Sequence, residues 1–316
     1  MFIPRIVFAF CIIVFGAGVA CGQDYPNKVI RIMTLAGGSN EFKARLIAQG
    51  ITGPLGQPVV MDFRPTPIIV NDTVAKAPPD GYTMAVLGGS LWIQPFFTKV
   101  PYDAVRDFSP ISLVDRSPAV VAVHPSLPVK SIKELIFLAK AKPGEIDHAT
   151  NLPGNTSWLA VESFKSMAGI NMRGIPYKNL AQTVIAIIGG EVQVMFTDPV
   201  LVMPHAKAGR LRALAVTSAT PSALAPGLPT VAASGLPGYE FVSVTAMYAP
   251  AKVPEAIIRR LNQEVVRVLN SPDIKQKLLD SGIEALSSSP EELAATIKSD
   301  MARIGKLAKD MGVSPQ

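Results

Sequence analysis

The chain has 316 residues, 48% of them hydrophobic and 17% charged, enough apolar material to bury one large core or two ordinary ones. A disordered or collagen-like chain is excluded. Its formal charge of +6 is modest for this length, and no Lys/Arg cluster is interleaved with aromatics, which excludes a nucleic-acid groove. The 28 prolines are scattered between apolar runs, the pattern of a protein with many short connections, and this favours an α/β layout.

The first residues differ from the rest. Arg5 is the only charge before Asp24, and residues 6–15 form an unbroken apolar run followed by Gly16-Ala17-Gly18-Val19-Ala20. This reads as a secretory leader over residues 1–22, because the run falls short of the ~20 apolar residues that span a bilayer. Cleavage before Gln23 removes both cysteines, Cys11 and Cys21, and with them disulfides and thiol chemistry. A lipid-modified Cys21 is the competing outcome, with an imperfect lipobox at Gly18-Val19-Ala20-Cys21.

From Lys28 the pattern is strand, turn, helix, repeated. Residues 29–34 read as a strand, Ala36-Gly37-Gly38-Ser39-Asn40 as a breaker cluster, and Phe42, Leu46, Ile47 and Ile51 recur at helical spacing. Strands follow at 59–61 and 83–87, the latter after the turn Pro78-Pro79-Asp80-Gly81, and strands joined by helical crossovers make a parallel sheet. Another strand is expected at 119–123, then a helix opened by the capping box Ser131-Ile132-Lys133-Glu134. A second α/β set runs from 146 to 216: strands at 146–149, 172–175, 192–196 and 211–216 alternate with helices at 157–168, 181–188 and 201–208. Residues 218–238, rich in Pro, Ala, Ser and Gly, read as an extended surface segment. A strand at 242–248 follows, then an amphipathic helix with Ile257, Leu261, Val265 and Val268 on one stripe, and a last helix capped by Ser289.

Catalytic and metal motifs are few. His124, His148 and His205 have no partner at metal-ligand spacing. Gly88-Gly89-Ser90 lacks the closing glycine of a nucleophile turn, and no histidine follows His205 to complete a triad. A secreted serine hydrolase using Ser90 is therefore only the alternative. Neither a phosphate-binding loop nor a dinucleotide fingerprint is present, so no cofactor and no metal is expected. Instead, small polar loops stand between strands and helices, where helix N-terminal amides can hold an anion. The candidate ligand-binding residues are Gly37, Gly38, Ser39, Asn40 and Glu41; Gly89 and Ser90; Asn151, Gly154, Asn155, Thr156 and Ser157; Tyr177 and Lys178; and Thr197 and Asp198. Glu41 is ambiguous, since it favours the helix dipole but repels an incoming carboxylate.

Several segments in order carry a family resemblance over the whole mature chain: Tyr25-Pro26-Asn27-Lys28, Leu55-Gly56-Gln57-Pro58, Pro79-Asp80-Gly81-Tyr82-Thr83, Pro101-Tyr102-Asp103, Pro125-Ser126-Leu127-Pro128, Pro176-Tyr177-Lys178, Gly189-Gly190-Glu191, Ala208-Gly209-Arg210-Leu211-Arg212 and Leu228-Pro229-Thr230-Val231. With these the sequence resembles the tripartite tricarboxylate transporter receptors, the Bordetella uptake gene family. The resemblance implies a type II periplasmic-binding-protein fold, two α/β domains with a ligand cleft between them. It further implies a monomeric, non-enzymatic periplasmic receptor that binds a small organic carboxylate, largely through backbone amides and water, and delivers it to membrane permease subunits. An orphan receptor serving as a solute sensor is equally compatible. The implied division is residues 23–121 with 247–316 as domain 1 and 122–246 as domain 2. The sequence departs from the family's pattern at Glu41, at Phe63-Arg64-Pro65-Thr66-Pro67, at Trp158 and at Asn179. Trp158 either stacks on an aromatic ligand or packs against a neighbouring loop.

Overall fold

The structure, a computed structural model, describes residues 25–150, 156–177, 180–313 and 315. The expected leader and both cysteines lie outside the described residues. Two five-stranded mixed sheets, each carrying helices, form a bilobed type II periplasmic-binding-protein fold.

The first sheet starts with β1 (Ile30–Leu35), where Ile32, Met33 and Thr34 are buried in succession, as a strand covered on both faces requires. Helix α1 (Gly38–Leu55) leads to β2 (Val59–Arg64), and α2 (Pro67–Ala75) leads to β3 (Thr83–Gly88). Both β2 and β3 run parallel to β1. Gly56 ends α1 in the left-handed region at φ 68°, a conformation that glycine adopts without penalty. The Pro65-Thr66-Pro67 departure is a helix start: the Thr66 hydroxyl accepts from the Ile69 N–H, and Pro67 fills a first-turn position needing no donor.

After the one-turn helix α3 (Ser90–Ile93), the chain forms a strand that the sequence pattern did not signal, β4 (Phe108–Pro118). Pro110 interrupts it and Ser109, Ser112, Asp115 and Ser117 dilute its hydrophobicity. It is nevertheless stable as an edge strand, where a missing N–H is tolerated.

The chain then changes sheet across Ala119. Strand β5 (Val120–Val123) belongs to the second sheet with β6 (Asp147–Thr150), β7 (Arg173–Pro176), β8 (Val194–Thr197) and β9 (Arg212–Val216), in the order β7-β6-β8-β5-β9. Interleaved with them are α4 (Ile132–Ala141), α5 (Thr156–Ala168), α6 (Leu180–Ile188) and α7 (Pro199–Lys207). The Ser131 hydroxyl caps α4 by accepting from the Glu134 N–H. Residues 217–241 carry the chain back to β10 (Val242–Pro250), which pairs antiparallel with β3 on one side and β4 on the other. The expected boundaries at 121/122 and 246/247 therefore fall inside β5 and β10. Backbone pairing puts Val120 and Val121 in the second sheet and residues 242–246 in the first.

Three helices close the first lobe: α8 (Glu255–Asn270), α9 (Pro272–Asp280) and α10 (Pro290–Asp310). A full capping box, Ser289 with Glu292, opens α10. On α8 the buried stripe is Ile258, Leu261, Val265, Val268 and Leu269, with Ile257 at its margin. It packs on Ile47 and Ile51 of α1, where burial of each such side chain contributes about 1.5–3 kcal/mol. The helices approach so closely that a methyl group at Gly50 would stand 2.5 Å from a Val268 methyl. A second apolar cluster is continuous through both lobes, from Met33 and Trp92 to Phe164, Phe196 and Phe241. The lobes thus share a spine beneath the cleft.

Candidate functional site

Where the chain passes between the sheets, a cavity of about 190 Å³ opens between the lobes. Its walls are Ser117 and Ala119 at the outgoing crossing, Phe241 and Ser243 at the return, Thr156, Ser157 and Ala160 from α5, and Phe196, Thr197 and Asp198 from the end of β8. The lining is therefore mainly hydroxyl-bearing over an aromatic base.

Below this surface lies a buried polar ladder. In the β4–β10 pairing Ser117 stands opposite Ser243 and Asp115 opposite Thr245. Lys43, in the second turn of α1, reaches this ladder: its Nζ is 2.9 Å from Asp115 Oδ1 and also donates to the Thr245 hydroxyl. The second Asp115 oxygen accepts from the Ser117 hydroxyl at 2.9 Å. Lys43, Asp115 and Thr245 are each only 3% exposed, so both charges depend on these partners for the solvation they lose.

Asp198 faces this ladder from the other lobe. It is the N-cap of α7, yet its side chain does not cap the helix, as an N-cap aspartate ordinarily does. Loss of solvent pushes its carboxyl above the ordinary range, the Asp115 carboxylate adds to the rise, and Lys43 opposes it. Asp198 is exposed by area because it looks into an open cleft, but protein surrounds that cleft, and the confined water solvates a charge less well than bulk water. Beside it, the hydroxyl of Thr197 is buried with no hydrogen-bond partner among the described residues.

Of the residues singled out from sequence, the structure brings Thr156, Ser157, Thr197 and Asp198 to this cavity. The first-lobe loops stand outside its lining. The Gly37 N–H donates to the Glu41 carboxylate, which the Arg45 guanidinium also holds at 2.7 Å. These two partners, the Gly37 amide first, keep the Glu41 carboxyl below the usual range. Glu41 thus supplies that loop with a carboxylate of the chain's own. Gly38 begins α1, Ser39 is exposed and Asn40 half-buried. Gly89 is buried, and the half-buried Ser90 hydroxyl donates to the Gly88 carbonyl at 3.4 Å. Among the described residues no histidine hydrogen-bonds Ser90, so the hydrolase alternative has no general base in place. Tyr177 uses its N–H on the Thr150 carbonyl and its hydroxyl on Glu191. Asn151, Gly154, Asn155, Lys178 and Asn179 lie outside the described residues.

Trp158 packs edge-on against Phe97 of the first lobe, with ring centroids 5.5 Å apart and planes at 87°. It meets a neighbouring loop, and that loop belongs to the opposite lobe. Sequence reasoning missed Lys43, Asp115, Ser117, Ser243 and Thr245. Their one signal was the period-two placement of polar residues, 115 and 117 against 243 and 245, in strands otherwise rich in apolar side chains.

Among the described residues no group of three His, Cys, Asp or Glu side chains is placed to hold a metal, and no described helix is long and apolar enough to cross a membrane.

Comparison with known proteins agrees with this architecture. The family model described as "Tripartite tricarboxylate transporter family receptor" matches residues 43–313. Protein BugT of Bordetella pertussis is 30% identical over 325 residues, covering 99% of each chain. A protein from the tcbD-tcbE intergenic region of Pseudomonas sp. strain P51 is 33% identical over 275 residues, 86% of this chain and 82% of that one. The solved structure of R. palustris Rpa4515 with adipate superposes with a TM-score of 0.77 at 32% identity, covering 93% of this chain and all of that one. The matched family is one of transporter receptors, and the solved structure of the periplasmic binding protein BugD superposes with a TM-score of 0.74 at 28% identity, covering 92% of this chain and all of that one. The chain belongs to the tripartite tricarboxylate transporter receptor family.

Proposed function

We propose that this protein is a periplasmic receptor whose two lobes close on a small organic carboxylate and present it to the membrane permease subunits of a tripartite tricarboxylate transporter. The observation that carries the reading is the cavity at the crossing between the sheets, with hydroxyl groups supplied by both lobes and a buried hydroxyl, Thr197, awaiting a partner. Hydroxyls and amides hold a carboxylate without a formal counter-charge. The likeness to Rpa4515, solved with adipate, supports the ligand class.

In this reading one lobe comprises the first sheet with α1–α3 and α8–α10, the other the second sheet with α4–α7, and the hinges are Ala119 and the stretch 217–241. Ligand is held by Thr156, Ser157, Thr197 and Asp198 against Ser117 and Ser243, while Gly37–Asn40 and Gly89-Ser90 close over it from the first lobe. The receptor acts as a monomer.

The test is a melting-temperature screen of ligand-stripped protein against mono-, di- and tricarboxylates and aromatic acids, with mass spectrometry of whatever co-purifies. A ligand at ~100 times its dissociation constant adds ~2.7 kcal/mol to stability, a clear shift. Absence of any shift across the panel, with no acid co-purifying, refutes the proposal.

A further inference from the structure

Asp198 is the only charged side chain lining the cavity among the described residues. The nearby cation, Lys43, is committed to Asp115 and Thr245. Among the described residues, Lys43, Asp115 and Asp198 therefore sum to one uncompensated negative charge at the base of the cleft. Asp198 has no ion-pair partner among the described residues, and it leaves its own helix amides uncapped although it stands at the N-cap position. Next to it, the Thr197 hydroxyl is 97% buried and unpartnered. A plain dicarboxylate entering here meets a carboxylate that no cation among the described residues offsets, and like charges in a confined site repel strongly.

We infer that the ligand is an aminocarboxylate, its ammonium group seated between Asp198 and Thr197 and its carboxylate directed to the hydroxyls and amides of the opposite wall. An ammonium presents three donors and no acceptor. It pairs with the Asp198 carboxylate, gives the Thr197 oxygen a donor and brings the base of the cleft to neutrality. The cavity volume, about 190 Å³, is well above the ~10–15 Å³ that one water needs and suits an amino acid with a short acidic or polar side chain. This inference rests on the carboxylate-receptor reading and makes Asp198 its specificity-determining residue.

The experiment compares matched pairs that differ only in the amine, glutarate with glutamate and adipate with 2-aminoadipate, by calorimetric titration of the ligand-stripped mature protein, alongside the wider acid panel. Wild type is expected to bind the amine-bearing member of at least one pair tenfold or more tightly than its partner. Asp198→Asn is expected to abolish that preference, while its melting temperature in the absence of ligand stays at or above that of wild type, since a carboxyl disfavoured in its charged form has been removed. Thr197→Val is expected to weaken the amine-bearing ligand more than the plain acid. The inference is overturned if wild type binds a plain acid best, or if Asp198→Asn keeps the preference. If no carboxylate of any kind binds, the receptor reading falls first and takes this one with it.

Discussion

Replacing Lys43 by Met tests the polar ladder beneath the cleft. Methionine fills a similar volume, so the change mainly removes the charge facing Asp115. At 2.9 Å, the Coulomb attraction is about 6 kcal/mol in a medium of effective dielectric ~20, against which stands the desolvation of both ions. Removing one partner of a buried pair typically costs 3–5 kcal/mol. The expected loss for Lys43→Met is thus about 3–5 kcal/mol. The double variant Lys43→Met with Asp115→Leu leaves no stranded charge, and much of the stability returns. Urea denaturation of ligand-free protein, followed by circular dichroism and by fluorescence of the buried Trp92, measures all three. A Lys43→Met loss below about 1 kcal/mol, or a double variant no more stable than Lys43→Met alone, refutes the assignment of this pair as a coupled buried unit.

Three further outcomes are expected. Trp158→Ala removes an edge-to-face contact between the lobes worth about 1 kcal/mol; if that contact forms on closure, ligand affinity falls about fivefold, and a Phe97→Ala background shows no further loss, whereas additive losses would disprove the coupling. His148 is buried, and loss of solvent first, with Lys165 second, pulls its imidazole below the ordinary range; the unfolded chain then binds a proton that the folded one resists, so stability is full above pH ~6.5 and falls as pH drops through that value. His148→Leu should flatten the wild-type decline in melting temperature between pH 7.5 and 5.5, and an unchanged slope would assign the decline to other groups. Ser39→Asp places a charge in the first turn of α1, where the dipole tolerates it, so ligand binding weakens at least tenfold with the melting temperature unchanged; undiminished binding would remove the Gly37–Asn40 loop from the site.

The repeated strand-turn-helix rhythm made most elements legible, because each strand of a sheet covered on both faces is a short apolar run and each following helix repeats at 3.6. Elements escaped where local chemistry disguised them. An edge position lets β4 keep Pro110 and its polar residues, and α2 begins inside a Pro-Thr-Pro stretch that reads equally well as a turn. The site divides in the same way. Thr197 and Asp198 were legible as a strand end and helix cap adjacent in sequence, whereas Lys43 meets Asp115 and Thr245 from 72 and 202 residues away. No local pattern encodes such contacts. They arise because β10 inserts between β3 and β4 only after the chain has built the whole second lobe.

That late insertion also links ligand contact to lobe movement. Strands β4 and β10 are paired along their length, and the ends that leave this pairing, Pro118 and Val242, continue directly into the two inter-lobe connections. Ser117 and Ser243, one residue inside those ends and opposite each other in register, line the cavity. A group bound to both hydroxyls therefore bears on the last fixed residues before each hinge, while Thr197 and Asp198 bear on the moving lobe. In the receptor reading proposed above, rotation of the connections at 119 and 217–241 draws the two sets closer, and differential contact with the closed arrangement supplies the free energy for closure. A ligand that reaches one set alone gains no such difference and leaves the lobes apart.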